Sequence, residues 1–232
     1  MLRAIIFDFD GVIVNSEPLV CQLTRQMAAR QGWALSEREY YRTYLALDDR
    51  GIVEHLFRTR GHPLDAARRD ELVEWKARAY WEAIQGGLPP FPGAAEFVHR
   101  VARQFPLAIA SGSMRAEIEY LLEKLGLRQA FPVLVAADDV AHSKPDPETY
   151  LKALSKLEGL PAFEPTSGHG PLRAAECLVI EDAPGGIEAA HAAGLSCLAL
   201  AHSCPREELQ RADWVYENFA AIDFEKVRSE FP

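Results

Sequence analysis

The chain has 232 residues, 48% hydrophobic and 25% charged, with a formal net charge of -9. That length supports a full hydrophobic core, in one large domain or two modest ones. The acidic balance disfavours nucleic acid and anionic membrane as partners, since both require a basic patch, and no apolar run is long enough to span a bilayer.

At the amino end a few apolar residues run straight into Asp8 and Asp10. A signal peptide needs a longer apolar region and a small-residue cleavage site, so this stretch reads as a strand of the mature fold. Ala4–Phe7 is therefore the first expected strand, apolar on both faces. From Pro18 to Ile84 the periodicity becomes helical. Leu19, Val20, Leu23 and Met27 share one face, then Ile52, Val53, Leu56 and Phe57, then Leu72, Trp75 and Ala79. The stretch from Gln85 to Pro90 (QGGLPP) reads as a linker. Beyond it, Leu107–Ala110 runs into Ser111, and Cys177–Ile180 runs into Glu181 and Asp182. Further strands are expected at Pro132–Val135, Leu195–Leu200 and Trp214–Tyr216. The Gly- and Pro-rich segment from Gly159 to Arg173 is expected at the opposite edge of the sheet from the carboxylates, with His169 in it as an exposed loop histidine.

Short runs apolar on both faces, each followed by a helical pattern, are the mark of a buried parallel sheet. In such sheets ligands bind outside the carboxyl ends of the strands. The expected organisation is an α/β core from residues 1–15 and 89–232, with a helical insert at 16–88. The insert carries 11 basic and 11 acidic residues against 14 and 23 in the remainder, so the whole negative excess lies in the core. The four cysteines, Cys21, Cys177, Cys197 and Cys204, form no Cys-x-x-Cys pair, and a reduced, cytoplasmic setting is expected. No long apolar surface signal calls for a partner subunit, so a monomer is the default.

Asp8-x-Asp10, followed by Gly11, places two carboxylates where one can attack and the other can handle protons. Their repulsion calls for a cation. With Glu181 and Asp182 the set is all oxygen, the chemistry that Mg²⁺ prefers. Alone, the pair reads equally well as a loop of solvated acids. Ser111-Gly112-Ser113 offers a hydroxyl and helix-start amides to a phosphate, although a helix cap accounts for it as well. Lys144 in SKPDP, beside an expected helix start at Asp146 and Pro147, can neutralise phosphate charge or be a solvated surface lysine.

Together, FDFDGVIVNSE, IASGS, SKPDP and VIEDAPGGIEAAHAAG resemble, in order, the four motifs of the haloacid dehalogenase superfamily. The likeness runs from Ile5 to about Leu200 and is to the phosphatase and β-phosphoglucomutase-like members with a helical cap after the first motif. It implies a Rossmann-like parallel core with an inserted α-helical cap, acting on a small phosphorylated metabolite. It also implies Asp8 as the nucleophile forming an aspartyl-phosphate, Asp10 as general acid and then base, and Ser111, Gly112 and Lys144 as phosphate binders. Mg²⁺ would be held by Asp8, the Asp10 carbonyl and Asp182, with Glu181 binding directly or through water.

Departures from the pattern narrow the reaction. Mutases of the family carry a cap histidine and a lysine after the second motif, where this chain has Val20 and Met114. Asp10 argues against dehalogenation, and Lys76, as the cap's lysine, is poorly placed for a Schiff base. Asn15 and Ala183 replace the more usual Asp and Ser. The expectation is hydrolysis of a sugar phosphate or a phosphoglycolate-like ester, with a sugar phosphomutase or a phospho-aspartate signalling protein as alternatives. Ser16 and Glu17 at the hinge and Arg50 at an inter-helix turn are the cap residues expected to touch substrate, while Tyr40, Tyr41 and Tyr44 are expected to pack.

Overall fold

The computed structural model describes residues 1–45, 47–163 and 170–231. His169 and the rest of 164–169 lie outside the described residues. The chain divides into two compact units, Met1–Asn15 together with Leu88 onward, and Ser16–Gly87.

The first unit is built on a six-stranded sheet. Its strands are β1 (Ala4–Phe7), β2 (Leu107–Ala110), β3 (Val133–Val135), β4 (Cys177–Glu181), β5 (Ser196–Leu200) and β6 (Trp214–Tyr216). They lie in the order β3-β2-β1-β4-β5-β6, and every pair is parallel. All six positions expected from sequence are strands; β3 and β5 start one residue later than expected and β4 runs one residue longer, to Glu181. β1 to β4 are buried at every position. Successive side chains point to opposite faces. One face presents Ala4, Ile6, Ala108, Ala110, Val179 and Cys197, covered by Tyr150, Ala153 and Leu157 of α7 (Glu148–Glu158) and by Ile187, Ala189 and Ala190 of α8 (Pro184–Ala192). On the other face Phe7 meets Phe97 of α5 (Ala94–Ala102) edge-on at 6.2 Å and Phe131 at 5.6 Å, and Phe97 meets Phe224 of α9 (Phe224–Ser229) at 5.6 Å. The unit is a three-layer α/β sandwich, as expected.

The second unit consists of α1 (Glu17–Arg30), α2 (Glu37–Thr43), α3 (Asp49–Arg60) and α4 (Ala66–Ile84). Its helix starts are written in the sequence. Pro18 sits in the first turn of α1, Ser36 accepts from the Glu39 amide, Asp48 from that of Gly51 at 2.7 Å, and Asp65 from that of Arg68 at 2.8 Å. Its core gathers Cys21, Met27, Tyr40, Tyr44, Ile52, Val53, Leu56 and Leu72. Tyr40 and Tyr44 pack as expected; Tyr41 is 40% exposed. The helical unit interrupts the first one at a closed point. The Asn15 amide donates to Pro89 O at 3.1 Å, that of Phe91 to Ile13 O at 3.0 Å, and Val14 bridges Pro90.

Arg50 lies in the first turn of α3, exposed, rather than in an inter-helix turn. α7 starts at Glu148, with Pro147 as its N-cap and the Asp146 carboxylate accepting from the Glu148 amide at 2.9 Å, one residue later than expected. No helix among the described residues is long and apolar enough to cross a membrane.

At the amino edge of the sheet, Arg3 donates to Glu176 at 2.9 Å and to the carbonyls of Gly170 and Pro171. The described end of the 159–173 segment therefore meets this edge. Arg173 donates to the same carboxylate through its side chain at 2.8 Å and its amide at 3.0 Å. Burial alone would raise the Glu176 pKa, but the hydrogen bonds from Arg173 and Arg3 outweigh it and hold the carboxyl at about 2. Because the folded pKa lies below the unfolded one, this stabilisation is complete above about pH 4.5 and lost as pH falls toward 2. Glu176→Gln is expected to destabilise the protein by about 1–3 kcal/mol at pH 7. In urea denaturation the gap from wild type should shrink below pH 4.5, and a pH-independent gap would refute the assignment.

Candidate active site

The strand order explains where the polar residues meet. β1 lies between β2 and β4, and the chain leaves it in one direction through β2 and β3 before returning on its other side as β4. Such a reversal opens a crevice at the carboxyl ends of the two strands. Phe7 pairs with Ile180, so Asp8 and Glu181 leave the sheet side by side, and the Asp8 amide still donates to Ile180 O at 2.9 Å.

Past Asp8 the backbone turns at once. The amides of Ile13 and Val14 donate to Phe9 O, and that of Gly11 donates to Val14 O at 2.9 Å. Gly11 has φ +78°, and a Cβ there would lie 1.8 Å from Asp182 Oδ2. A glycine is required on both counts. The turn aims the Asp10 side chain at the end of β2, where its Oδ2 accepts from Ser113 Oγ at 2.6 Å and, more loosely, from Ser111 Oγ at 3.4 Å. Ser111 is buried, and its Oγ accepts from the Ser113 amide at 3.0 Å. A side chain at Gly112 would meet open space.

Lys144, from the loop before α7, closes the cluster. Its Nζ donates to Asp8 Oδ1 at 2.6 Å, Glu181 Oε1 at 2.8 Å and the Ala110 carbonyl at 3.0 Å, which uses all three of its protons. Glu181 Oε1 also accepts from the buried Tyr150 hydroxyl at 2.8 Å, and Oε2 accepts from the amides of Asp182 and Ala183 at 2.9 and 3.2 Å. The four acceptor positions of this carboxylate are thus filled. It lies against the first turn of α8, where a Cβ on Gly186 would fall 1.8 Å from Oε1.

Asp8, Glu181 and Asp182 each place a carboxylate oxygen within 4.8 Å of the others. Burial raises the Asp8 pKa, with Glu181 and Asp10 adding to the shift and Lys144 opposing it. Burial also raises Asp182 well above its ordinary value, reinforced by Glu181 and Asp8 and opposed by a hydrogen bond from Ser203. For Glu181 burial acts upward too, but Lys144, Tyr150 and the Asp182 amide outweigh it, and its pKa is lowered. Burial would lower Lys144, yet attraction to Asp8 and Glu181 raises it. Fully ionised, three buried carboxylates against one buried ammonium would leave two negative charges in a low-dielectric space, which is why burial pushes Asp8 and Asp182 toward protonation. An all-oxygen donor set with that deficit fits a divalent hard cation such as Mg²⁺.

Asp8, Asp10, Ser111, Lys144, Glu181 and Asp182 therefore converge on one sheet edge. Ser16, Glu17 and Arg50 belong to the helical unit. There Ser16 is buried at the start of α1, and Glu17 accepts from Tyr40 OH at 2.5 Å, tying α1 to α2. Lys76 is buried in an ion pair with Asp49. Sequence reasoning named Ser113 only as part of the Ser111-Gly112-Ser113 run, without its bond to Asp10, and missed Tyr150 and Ser203. Ser203 lies three residues beyond β5, whereas Asp8 directly follows β1, so only a search of the whole loop after each strand could have found it.

A family model for haloacid dehalogenase-like hydrolases matches residues 2–194. Protein CbbY of Rhodobacter capsulatus is 34% identical over 230 residues, covering 95% of each chain. Validoxylamine A 7'-phosphate phosphatase of Streptomyces hygroscopicus subsp. limoneus is 30% identical over 96% of each. Among solved structures, the β-phosphoglucomutase of Clostridium difficile shares the fold with a TM-score of 0.82 at 20% identity, covering all of this chain and 97% of that one. The motifs, the sheet order and these likenesses lead to one conclusion: the chain belongs to the haloacid dehalogenase-like hydrolase family and is an enzyme of that kind.

Proposed function

We propose that the protein is a Mg²⁺-dependent phosphatase that hydrolyses a small phosphate ester, a sugar phosphate or phosphoglycolate-like compound, through an aspartyl-phosphate on Asp8. The carrying observation is the buried cluster in which Lys144 bridges Asp8 and Glu181 while Asp182 adds a further buried acid. A phosphatase and a fructose-1-phosphate phosphatase are among its relatives at 30% identity, which supports the substrate class.

In this reading Asp8, the Asp10 carbonyl and Asp182 hold the metal. Glu181, its oxygens filled by Lys144, Tyr150 and two backbone amides, anchors Lys144 beside the metal ligands. When bound, Mg²⁺ screens the repulsion between Asp8 and the phosphate. The Asp8 carboxylate attacks phosphorus in line, and the bond to the leaving oxygen breaks as Asp10 delivers its proton there. Asp10 then takes a proton from water, which attacks the aspartyl-phosphate and releases inorganic phosphate, returning Asp8 to its starting state. Lys144, Ser111 and the amides from Gly112 onward neutralise the equatorial oxygens. Ser113 holds the Asp10 carboxylate toward the transfer path. The helical unit serves as the family's cap, and exposed Arg50 is its contact to an anionic or hydroxylated substrate.

Hydrolysis is favoured over phosphoryl shift within a sugar. Met114 is 49% exposed at the position of the mutase lysine, and Val20 packs against the core of the helical unit. Neither can hold or move a proton.

With a panel of phosphate esters, phosphate release is expected to require Mg²⁺, to stop on chelation and to be abolished by Asp8→Asn. Phosphorus NMR of the products separates the readings, since an isomeric ester in place of inorganic phosphate would establish a mutase. Lys144→Ala should lower kcat/KM about 10²- to 10³-fold, the range for losing one group that stabilises transition-state charge. A change below threefold would remove Lys144 from the site.

A further inference from the structure

The loop after β5 carries two residues that the catalytic reading leaves unused. His202 Nδ1 lies 2.8 Å from the Gly11 carbonyl. A carbonyl only accepts, so Nδ1 carries the proton and donates. The ring is fixed in its plane by stacking on Phe91, with centroids 3.9 Å apart at 11°, and by Phe219 at 5.9 Å. The next residue, Ser203, is hydrogen-bonded to the Asp182 carboxylate. Its hydroxyl oxygen would lie 2.7 Å from a Cβ at Gly11.

Gly11 has no side chain to hold its conformation, yet the peptide groups on both sides of its Cα are fixed. Its N–H is held by Val14 O at 2.9 Å and its C=O by His202. Peptide groups are planar and trans, so holding the Gly11 N–H also fixes the direction of the Asp10 carbonyl in the same plane. His202 secures the following plane and thereby limits rotation about the glycine. One dipeptide thus holds the turn that aims the Asp10 carbonyl and, separately, the carboxylate of Asp182.

We propose that His202 and Ser203 are positioning residues for the metal centre, setting the directions of two of its oxygen donors, the Asp10 carbonyl and the Asp182 carboxylate, without touching the ion. This rests on the assignment of the cation to Asp8, Asp10 and Asp182. Partners of this kind characteristically tune metal affinity 10- to 100-fold.

The test is Mg²⁺ binding to the full-length protein by isothermal titration calorimetry, with no substrate present. His202→Phe keeps a ring between Phe91 and Phe219 but loses the donor, and it is expected to weaken Mg²⁺ binding at least tenfold. His202→Asn, which places an amide N–H near Nδ1, should recover most of that loss. Ser203→Ala should weaken binding in the same direction, and it serves as the independent variant should His202→Phe fail to fold. Thermal unfolding without metal should stay within about 3 °C of wild type for the variants, which excludes general loosening of the loop. Wild-type affinity in His202→Phe and Ser203→Ala would overturn the inference while leaving the metal site standing. Absence of Mg²⁺ binding by the wild type would instead overturn the site assignment.

Discussion

Everything at the carboxyl edge of the sheet answers to one constraint, the excess of buried negative charge where β1 and β4 lie side by side. Asp8, Glu181 and Asp182 are out of water and close together, and isolated carboxylates in that setting would rather take up protons than stay charged. Lys144 offsets part of the excess, and it can do so only because its three protons are met by Asp8, Glu181 and the Ala110 carbonyl. Glu181 in turn depends on Tyr150, on two backbone amides and on the bare face of Gly186. Each neighbour of the reacting carboxylate is therefore committed to another. Ionising the remaining acids would leave charge that only a cation could balance, which is the basis of the proposed metal site.

That arrangement divides the acids by role. Glu181, which accepts four hydrogen bonds, is favoured as an anion, whereas burial and like charges disfavour the anions of Asp8 and Asp182. Asp10 sits slightly apart, turned toward Ser113 and away from Lys144. Four acids lie within one crevice, and their surroundings differ: in the proposed reaction these differences would separate attack, proton transfer and anchoring.

Much of this was legible in the residues alone. Strands buried on both faces must be short, continuous apolar runs, so β1, β2 and β4 and the acids and serine that follow them stood out. The helical unit announced itself by its period and its caps. What escaped shares a different cause. Tyr150 lies on the apolar face of α7 with Ala153 and Leu157, so its pattern is that of core, and its hydroxyl matters only because the sheet brings Glu181 beneath it. Ser113 reads as the tail of a helix start until the turn at Gly11 swings Asp10 toward it. Ser203 follows a strand whose last residues carry no acid to draw attention. In each case the partner is more than 20 residues away, on or beyond another strand, and local pattern carries no register between strands.

The closed point at which the helical unit interrupts the first has a consequence for how such a chain can change. Asn15 and Phe91 bond across the break to Pro89 and Ile13, so the two ends of the insert emerge from adjacent, already paired backbone. Between fixed ends this close, the inserted length is nearly neutral to the stability of the sheet, because loop closure varies only slowly with length. The α/β unit thus presents a socket. The buried charged residues are wired into one another within the α/β unit, so residues 16–87 can vary without disturbing that charge balance.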